Sequence, residues 1–156
     1  MFSDMIVVSG RQCFGIHAAG DPDSLTCLLT ITLDGRVEWT FDVPTWRPMS
    51  VGAAGDTWYV WSARDVIVLP PDEAGEPAAF KVDEDLQFVF RLDDGWVLVC
   101  ETSIRRLVNE HETDRWELPE IVSDAAWIAD VLSVRDYSGS ETRVRVSGPR
   151  FLSPGG

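Results

Sequence analysis

The sequence predicts an all-β fold made of about four repeated units of short antiparallel strands. Three observations support it: apolar residues alternate with a period of two, turn residues separate the alternating runs, and tryptophans recur at a regular spacing. The chain has 156 residues, 45% of them hydrophobic and seven of them Trp. That is enough apolar material for a real core, so we expect a single domain over residues 1–156.

The strands are expected in runs rich in Val, Ile, Thr and aromatic residues. The clearest runs are TCLLTITL, RVEWTFDV, TWYVWSA, DVIVL, LQFVFRL, GWVLVCE and TRVRV. Asp34-Gly35 predicts a two-residue hairpin turn, because both residues tolerate a positive φ. Further turns are expected at Asp94-Gly95, Ser138-Gly139 and Pro70-Pro71. Segment 103–112 fits a strand that runs into an acidic turn, and a short helix is the alternative there.

An internal repeat organises these strands. Aligning 55–69 with 94–107 superposes Trp58 on Trp96, and a third copy carries Leu132 at that position. An apolar run precedes each copy, and a large aromatic residue follows the first two. We therefore predict units over residues 5–46, 47–85, 86–121 and 122–150, followed by a tail over 151–156.

Repeats of about 40 residues with four antiparallel strands are typical of propeller blades, which stack and bury aromatic residues between them. The segment TLDGRVEWTFDVP (32–44) resembles a quinoprotein-type or WD-type propeller repeat, with Gly35 at the turn and Trp39 at the docking position. This resemblance implies blade-like sheets and no particular activity. Four short blades would form either a small closed propeller or an open curved meander. An open meander would leave edges that a second copy could cover, so a homodimer is one expectation.

The formal net charge is −13. Its field repels phosphate backbones and anionic lipid surfaces, so neither nucleic acid nor a membrane is expected as a partner. The N-terminal residues lack the cationic and apolar regions of a signal peptide, which favours a cytoplasmic location. The three cysteines are widely spaced, and the acidic runs do not match a calcium loop, so we expect neither a metal nor a cofactor.

Acidic residues are concentrated in the predicted turns, where they could form one negative face that steers a basic protein partner. A solvated surface that keeps a Trp-rich β protein soluble is the alternative. Trp46 lies beside Arg47 in a Pro-flanked loop, and Trp61 shares a strand face with Tyr59, so both tryptophans are candidate anchors. The complete set of candidate partner-binding residues is Trp46, Arg47, Trp61, Asp83, Glu84, Asp85, Asp93, Asp94, Glu110, Glu112 and Asp114.

No catalytic residues are assigned, because neither His17 nor His111 occurs in a recognisable local catalytic signature. We therefore interpret the chain as a non-catalytic protein-binding module. Small size, acidic charge and cytosolic character resemble the general profile of bacterial immunity proteins, which neutralise basic toxins such as nucleases or deaminases. The alternatives are a structural module that pairs with identical copies, and a small-molecule binder or hydrolase.

Overall fold

The computed structural model describes residues 2–9, 12–19, 26–44, 49–55, 57–70 and 75–155, and every regular element within them is a β-strand. The chain divides into two compact units, Met1–Asp83 and Glu84–Gly156. Each unit contains two four-stranded antiparallel sheets in which every strand pairs with the next strand along the chain. These sheets confirm the all-β prediction.

The first unit holds the first and second sheets. The first sheet comprises β1 (Phe2–Ser9), β2 (Gln12–Ala19), β3 (Thr26–Leu33) and β4 (Val37–Pro44). The second sheet comprises β5 (Ser50–Ala54), β6 (Thr57–Ser62), β7 (Asp65–Val68) and β8 (Ala78–Lys81). Their facing side chains form one core, in which Ile31 and Leu33 of β3 cluster with Val60 of β6 and Ile67 of β7.

The second unit holds the third and fourth sheets. The third sheet comprises β9 (Leu86–Leu92), β10 (Gly95–Cys100), β11 (Ser103–Val108) and β12 (His111–Glu117). The fourth sheet comprises β13 (Val122–Ile128), β14 (Val131–Asp136), β15 (Glu141–Ser147) and β16 (Arg150–Leu152). Val97, Val99 and Ile104 of the third sheet pack against Leu132 and Val144 of the fourth. Segment 103–112, which left a helix as the alternative, contains β11 and the start of β12.

The aligned repeat residues occupy equivalent positions in the sheets. Trp58, Trp96 and Leu132 are each the second residue of the second strand of their sheet. The aromatic residues that follow are also equivalent, because Phe80 pairs with Val66 and Trp116 pairs with Ile104, each between the third and fourth strands. The repeated tryptophan therefore marks a structural position and is not a chance recurrence.

Two turns show how the backbone sets the strand ends. Asp34 and Gly35 both have positive φ, and the Arg36 N–H donates to the Leu33 carbonyl over 3.0 Å, as the hairpin prediction requires. The Asp94-Gly95 prediction needs a correction. Gly95 is the first residue of β10 and pairs with Leu92, so the turn itself is Asp93-Asp94. A Cβ at Gly95 would collide with the Leu107 carbonyl, so glycine is needed for close backbone approach.

The C-terminal boundary also differs from the sequence expectation. Residues 151 and 152, assigned to a tail, belong to β16, because Phe151 is buried in the core of the second unit. The Phe151 N–H donates to the Asp114 carboxylate over 2.7 Å, and Thr113 donates to the Pro149 carbonyl over 2.7 Å. These bonds connect β16 and the residue before it, in the fourth sheet, to β12 of the third sheet.

Candidate partner-binding surface

The candidate surface lies at one end of the third sheet, where two hairpin turns meet. The β9–β10 turn is Asp93-Asp94, and the β11–β12 turn is Asn109-Glu110. Because consecutive strands of a meander reverse direction, these turns lie at the same end of the sheet. The Asn109 N–H donates to the Asp94 carbonyl over 3.2 Å and joins them directly.

The β11–β12 turn has an unusual backbone. Asn109 and Glu110 both have positive φ, 49° and 69°. Two such residues in succession give the primed turn that matches the twist of a hairpin. Asparagine tolerates this conformation, whereas glutamate carries the steric cost of its Cβ. The turn therefore presents the exposed Glu110 side chain from a position where glycine would be the less strained residue.

These turns line a shallow cavity of about 330 Å³. Its walls are formed by Arg91, Asp93, Asp94, Gly95, Trp96, Asn109 and Glu110. The Arg91 guanidinium lies over the Trp96 ring, 4.8 Å from its centroid, and so supplies a flat cationic floor. Within the described residues neither Asp93 nor Glu110 forms an ion pair, and both side chains are exposed. The rim of the cavity is thus negative.

Asp94 has a different role, because it pairs with a buried cation. Arg106 is 1% exposed, and its Nη2 donates to Asp94 Oδ1 over 2.6 Å. The remaining guanidinium nitrogens donate to the carbonyls of Gly148 at 2.9 Å, Leu107 at 2.7 Å and Trp96 at 3.3 Å. The hydrogen bond from Arg106 holds the pKa of Asp94 below its usual value, so this carboxylate stays ionised at neutral pH.

A second buried arginine, Arg105, pairs with two other predicted site residues. Glu84 accepts a 2.8 Å bond from Nη2 of Arg105 and further bonds from Thr102 and Ser103. Burial alone would raise the pKa of Glu84, but these hydrogen bonds outweigh it and hold the pKa below its usual value. Oε1 of Glu112 lies 3.7 Å from Nε of Arg105 on the same face of the sheet. Glu84 and Glu112 therefore neutralise a buried charge, and the prediction that they bind a partner stays a prediction.

The other acidic candidates lie elsewhere. Asp114 supports β16 through the Phe151 N–H and lies 3.5 Å from Arg150. Asp85 accepts a backbone bond from the Glu101 N–H at the opposite end of the third sheet from Asp93. Asp83 is exposed at the end of the first unit. Of the predicted acidic set, the structure thus brings Asp93, Asp94 and Glu110 together at the cavity, and Glu84 and Glu112 together around Arg105.

The aromatic candidates are less informative. Trp61 is half-buried in β6, and its ring centroid lies 5.9 Å from that of Tyr59. Trp46 and Arg47 lie outside the described residues. Arg91 and Asn109 line the cavity but are not among the predicted site residues. The polar two-residue link between the β11 and β12 runs could have indicated that Asn109 lies in a turn. No local pattern indicates that Arg91 stacks on Trp96.

The described ranges contain no helix able to cross a membrane and no group of three or more His, Cys, Asp or Glu residues placed to hold a metal ion. Cys100 is fully buried in β10. Comparison with family models and with curated proteins gave no match for this chain.

Proposed function

We propose that this chain is a non-catalytic protein-binding module that receives a basic side chain of a partner protein in the cavity between the Asp93-Asp94 and Asn109-Glu110 turns. One observation carries the proposal: the bond from Asn109 N–H to the Asp94 carbonyl unites two acidic turns around one cavity. Asp93 and Glu110 would attract the cation at the rim, whereas the Arg91 guanidinium, which covers the buried Trp96 ring, would repel it from the floor of the cavity.

The backbone of the turn supports this proposal. Strained φ angles at non-glycine residues persist where the surrounding structure enforces them, and they are concentrated at functional sites. Glu110 has φ of 69° and an exposed carboxylate at the cavity rim. A glutamate that lowers the stability of the turn is explained at this position if its charge contributes to binding.

The partner class is a basic toxin domain, such as a nuclease or deaminase, which makes the chain a cytoplasmic immunity protein. The net charge of −13 favours fast association with a basic protein. Carboxylates on a rim can stand in for the phosphates that such an enzyme binds. The four meandering sheets are compatible with blades of a quinoprotein-like propeller, and this scaffold is part of the proposal.

The direct test uses isotopically labelled protein titrated with a nona-arginine peptide. The amide resonances of Asp93, Asp94, Gly95, Asn109 and Glu110 should shift first. A double variant, Asp93→Asn with Glu110→Gln, should bind at least about tenfold more weakly at low salt, because both exposed rim charges are lost. Binding by the unmodified chain should weaken steeply as salt rises.

A matched control removes two other exposed charges of the same unit, Glu117→Gln with Glu120→Gln. It should change the affinity less than about twofold, because those residues lie away from the cavity. If both double variants weaken binding of the nona-arginine peptide equally, the effect follows from net charge alone. That result would refute a defined site. The toxin class is tested on the neighbouring genes: one of them should encode a basic toxin domain whose activity this chain blocks and the Asp93→Asn, Glu110→Gln variant does not, and a neighbourhood without such a domain would oppose this class.

A further inference from the structure

The exposed large hydrophobic side chains of the described residues all lie in or directly beside the fourth sheet. They are Ile121, Ile128, Tyr137 and Leu152, with exposed fractions of 42%, 57%, 77% and 48%. Apolar side chains scattered singly over a surface need no explanation, but their concentration on one sheet marks an interaction face.

The fourth sheet has one buried and one outward face. Leu132, Val134 and Val144 point into the core of the second unit. Since side chains alternate along a strand, residues 131, 133 and 135 of β14 point outward, together with their partners on β13 and β15. The outward residues form three cross-strand rows: Asp124–Arg135–Glu141, Ala126–Ser133–Arg143 and Ile128–Val131–Arg145.

Apolar residues flank these rows at both ends. The Tyr137 N–H donates to the Ile121 carbonyl over 3.0 Å, which places this pair one row beyond Asp124 and Arg135. At the other end the apolar residues are Ile128 and Val131. The middle of the face is a shallow cavity of about 300 Å³ between the charged side chains. Along β13 and β14 the outward residues are therefore apolar, then charged, then small and polar, then apolar, whereas β15 presents the charged residues Glu141, Arg143 and Arg145.

We propose that this outward face binds a second copy of the same chain, with a two-fold axis in the interface that runs across the strands between the first and second rows. With such an axis, each strand lies opposite the same strand of the second copy, and the two run in opposite directions. It places Ile121 opposite the partner's Ile128 and Tyr137 opposite the partner's Val131.

The charges agree with this axis and oppose the other in-plane two-fold. Glu141 of each protomer lies opposite the partner's Arg143, so the contact occurs twice in the dimer. An axis parallel to the strands would instead place Arg135 opposite its own copy and Asp124 opposite the partner's Glu141. Like charges in direct apposition disfavour that arrangement. Within one chain Arg143 Nε already lies 2.9 Å from Glu141 Oε1, so the dimer joins two ion pairs into one four-charge network.

The experiment is sedimentation velocity on the full chain with reciprocal charge reversals. The unmodified chain should be a dimer at about 100 µM, since an interface of modest size gives micromolar affinity. Glu141→Arg alone and Arg143→Glu alone each create two like-charge contacts per dimer and should raise the dissociation constant at least about tenfold. An equimolar mixture of the two variants should form a heterodimer, because every contact in it is again between opposite charges.

The matched control is Glu117→Arg, an equal charge change on an exposed residue of the third sheet, and it should leave the dimer intact. Far-ultraviolet circular dichroism verifies that each variant folds. A monomeric unmodified chain at this concentration overturns the proposal, as does failure of the mixed variants to associate. A dimer that both reversals leave unchanged places the contact on another face and also overturns it. None of these residues lines the cavity of the third sheet, so either proposal can fail alone.

Discussion

Replacing Arg106 with methionine tests what stabilises the second unit. Arg106 is 1% exposed, and its guanidinium donates to three carbonyls and to one carboxylate. Methionine retains most of the aliphatic stem and removes every one of these bonds. Gly148 lies in an exposed turn, where water can replace the arginine, whereas the carbonyl of Leu107, a residue only 5% exposed, loses its 2.7 Å donor.

The magnitude follows from these contacts. A hydrogen bond from a charged donor contributes about 1.5–3 kcal/mol, and an unsatisfied buried acceptor costs about 1–3 kcal/mol. Part of the loss is offset, because the variant no longer has to desolvate a guanidinium. We expect Arg106→Met to lower the free energy of unfolding by about 3 kcal/mol. Asp94→Asn should cost less, because the Asp94 side chain is 55% exposed and water replaces its partner.

The assay is urea unfolding followed by tryptophan emission, with Arg150→Met as the matched control. The Arg150 side chain is 69% exposed and makes only a long ion pair with Asp114 in the described chain. Its replacement should change stability by no more than about 0.5 kcal/mol. If Arg106→Met costs less than about 1 kcal/mol, or if Asp94→Asn costs as much as Arg106→Met, the reasoning that the carbonyl contacts dominate is refuted.

Four further predictions follow from the same unit. Gly95→Ala should destabilise it by about 3 kcal/mol in urea, because the new Cβ meets the Leu107 carbonyl; an unchanged midpoint would contradict this. Phe151→Ala should cost about 3 kcal/mol and increase amide exchange in β16, and a neutral result would mean that β16 does not close the core. The lowered pKa of Glu84 stabilises the fold above the ordinary value of 4.5, and this stability disappears as the pH falls toward the folded value; Glu84→Gln should flatten that part of a stability–pH curve. Glu110→Gly should raise stability by about 1 kcal/mol while weakening binding of the nona-arginine peptide, and lower stability would show that the turn is unstrained.

The strands were predictable because their signals are local. Alternating apolar residues in LQFVFRL and GWVLVC give a period of two whatever surrounds them, and Asp34-Gly35 favours a primed turn by its own steric properties. The repeat of Trp58 at Trp96 was equally visible, since equivalent positions in stacked sheets select similar side chains. Local patterns were therefore sufficient for the sheets and their order.

The site was only partly predictable, because its geometry depends on contacts between distant residues. Arg106 reaches Gly148, 42 residues away, and no pattern in the sequence marks that carbonyl as a partner. The Asp94-Gly95 pattern predicts a turn at Gly95, because the need for glycine arises from close approach to a neighbouring strand that no local pattern shows. The sequence predicts Glu110 only as a member of the acidic set, whereas its positive φ follows from the two-residue link that β11 and β12 impose.

The difference between net charge and local charge decides what a partner can recognise. The 26 carboxylates contribute equally to the formal charge, yet Glu84 and Asp94 are held by buried arginines and Asp114 supports a strand. A partner that displaced Glu84 would remove the carboxylate that lies 2.8 Å from the buried Arg105 guanidinium, which costs several kilocalories per mole. Recognition at the third sheet is therefore limited to the rim charges that lack such a role, Asp93 and Glu110. On this argument the salt dependence of binding should correspond to about two charge contacts at the cavity, far fewer than the net charge of the chain suggests.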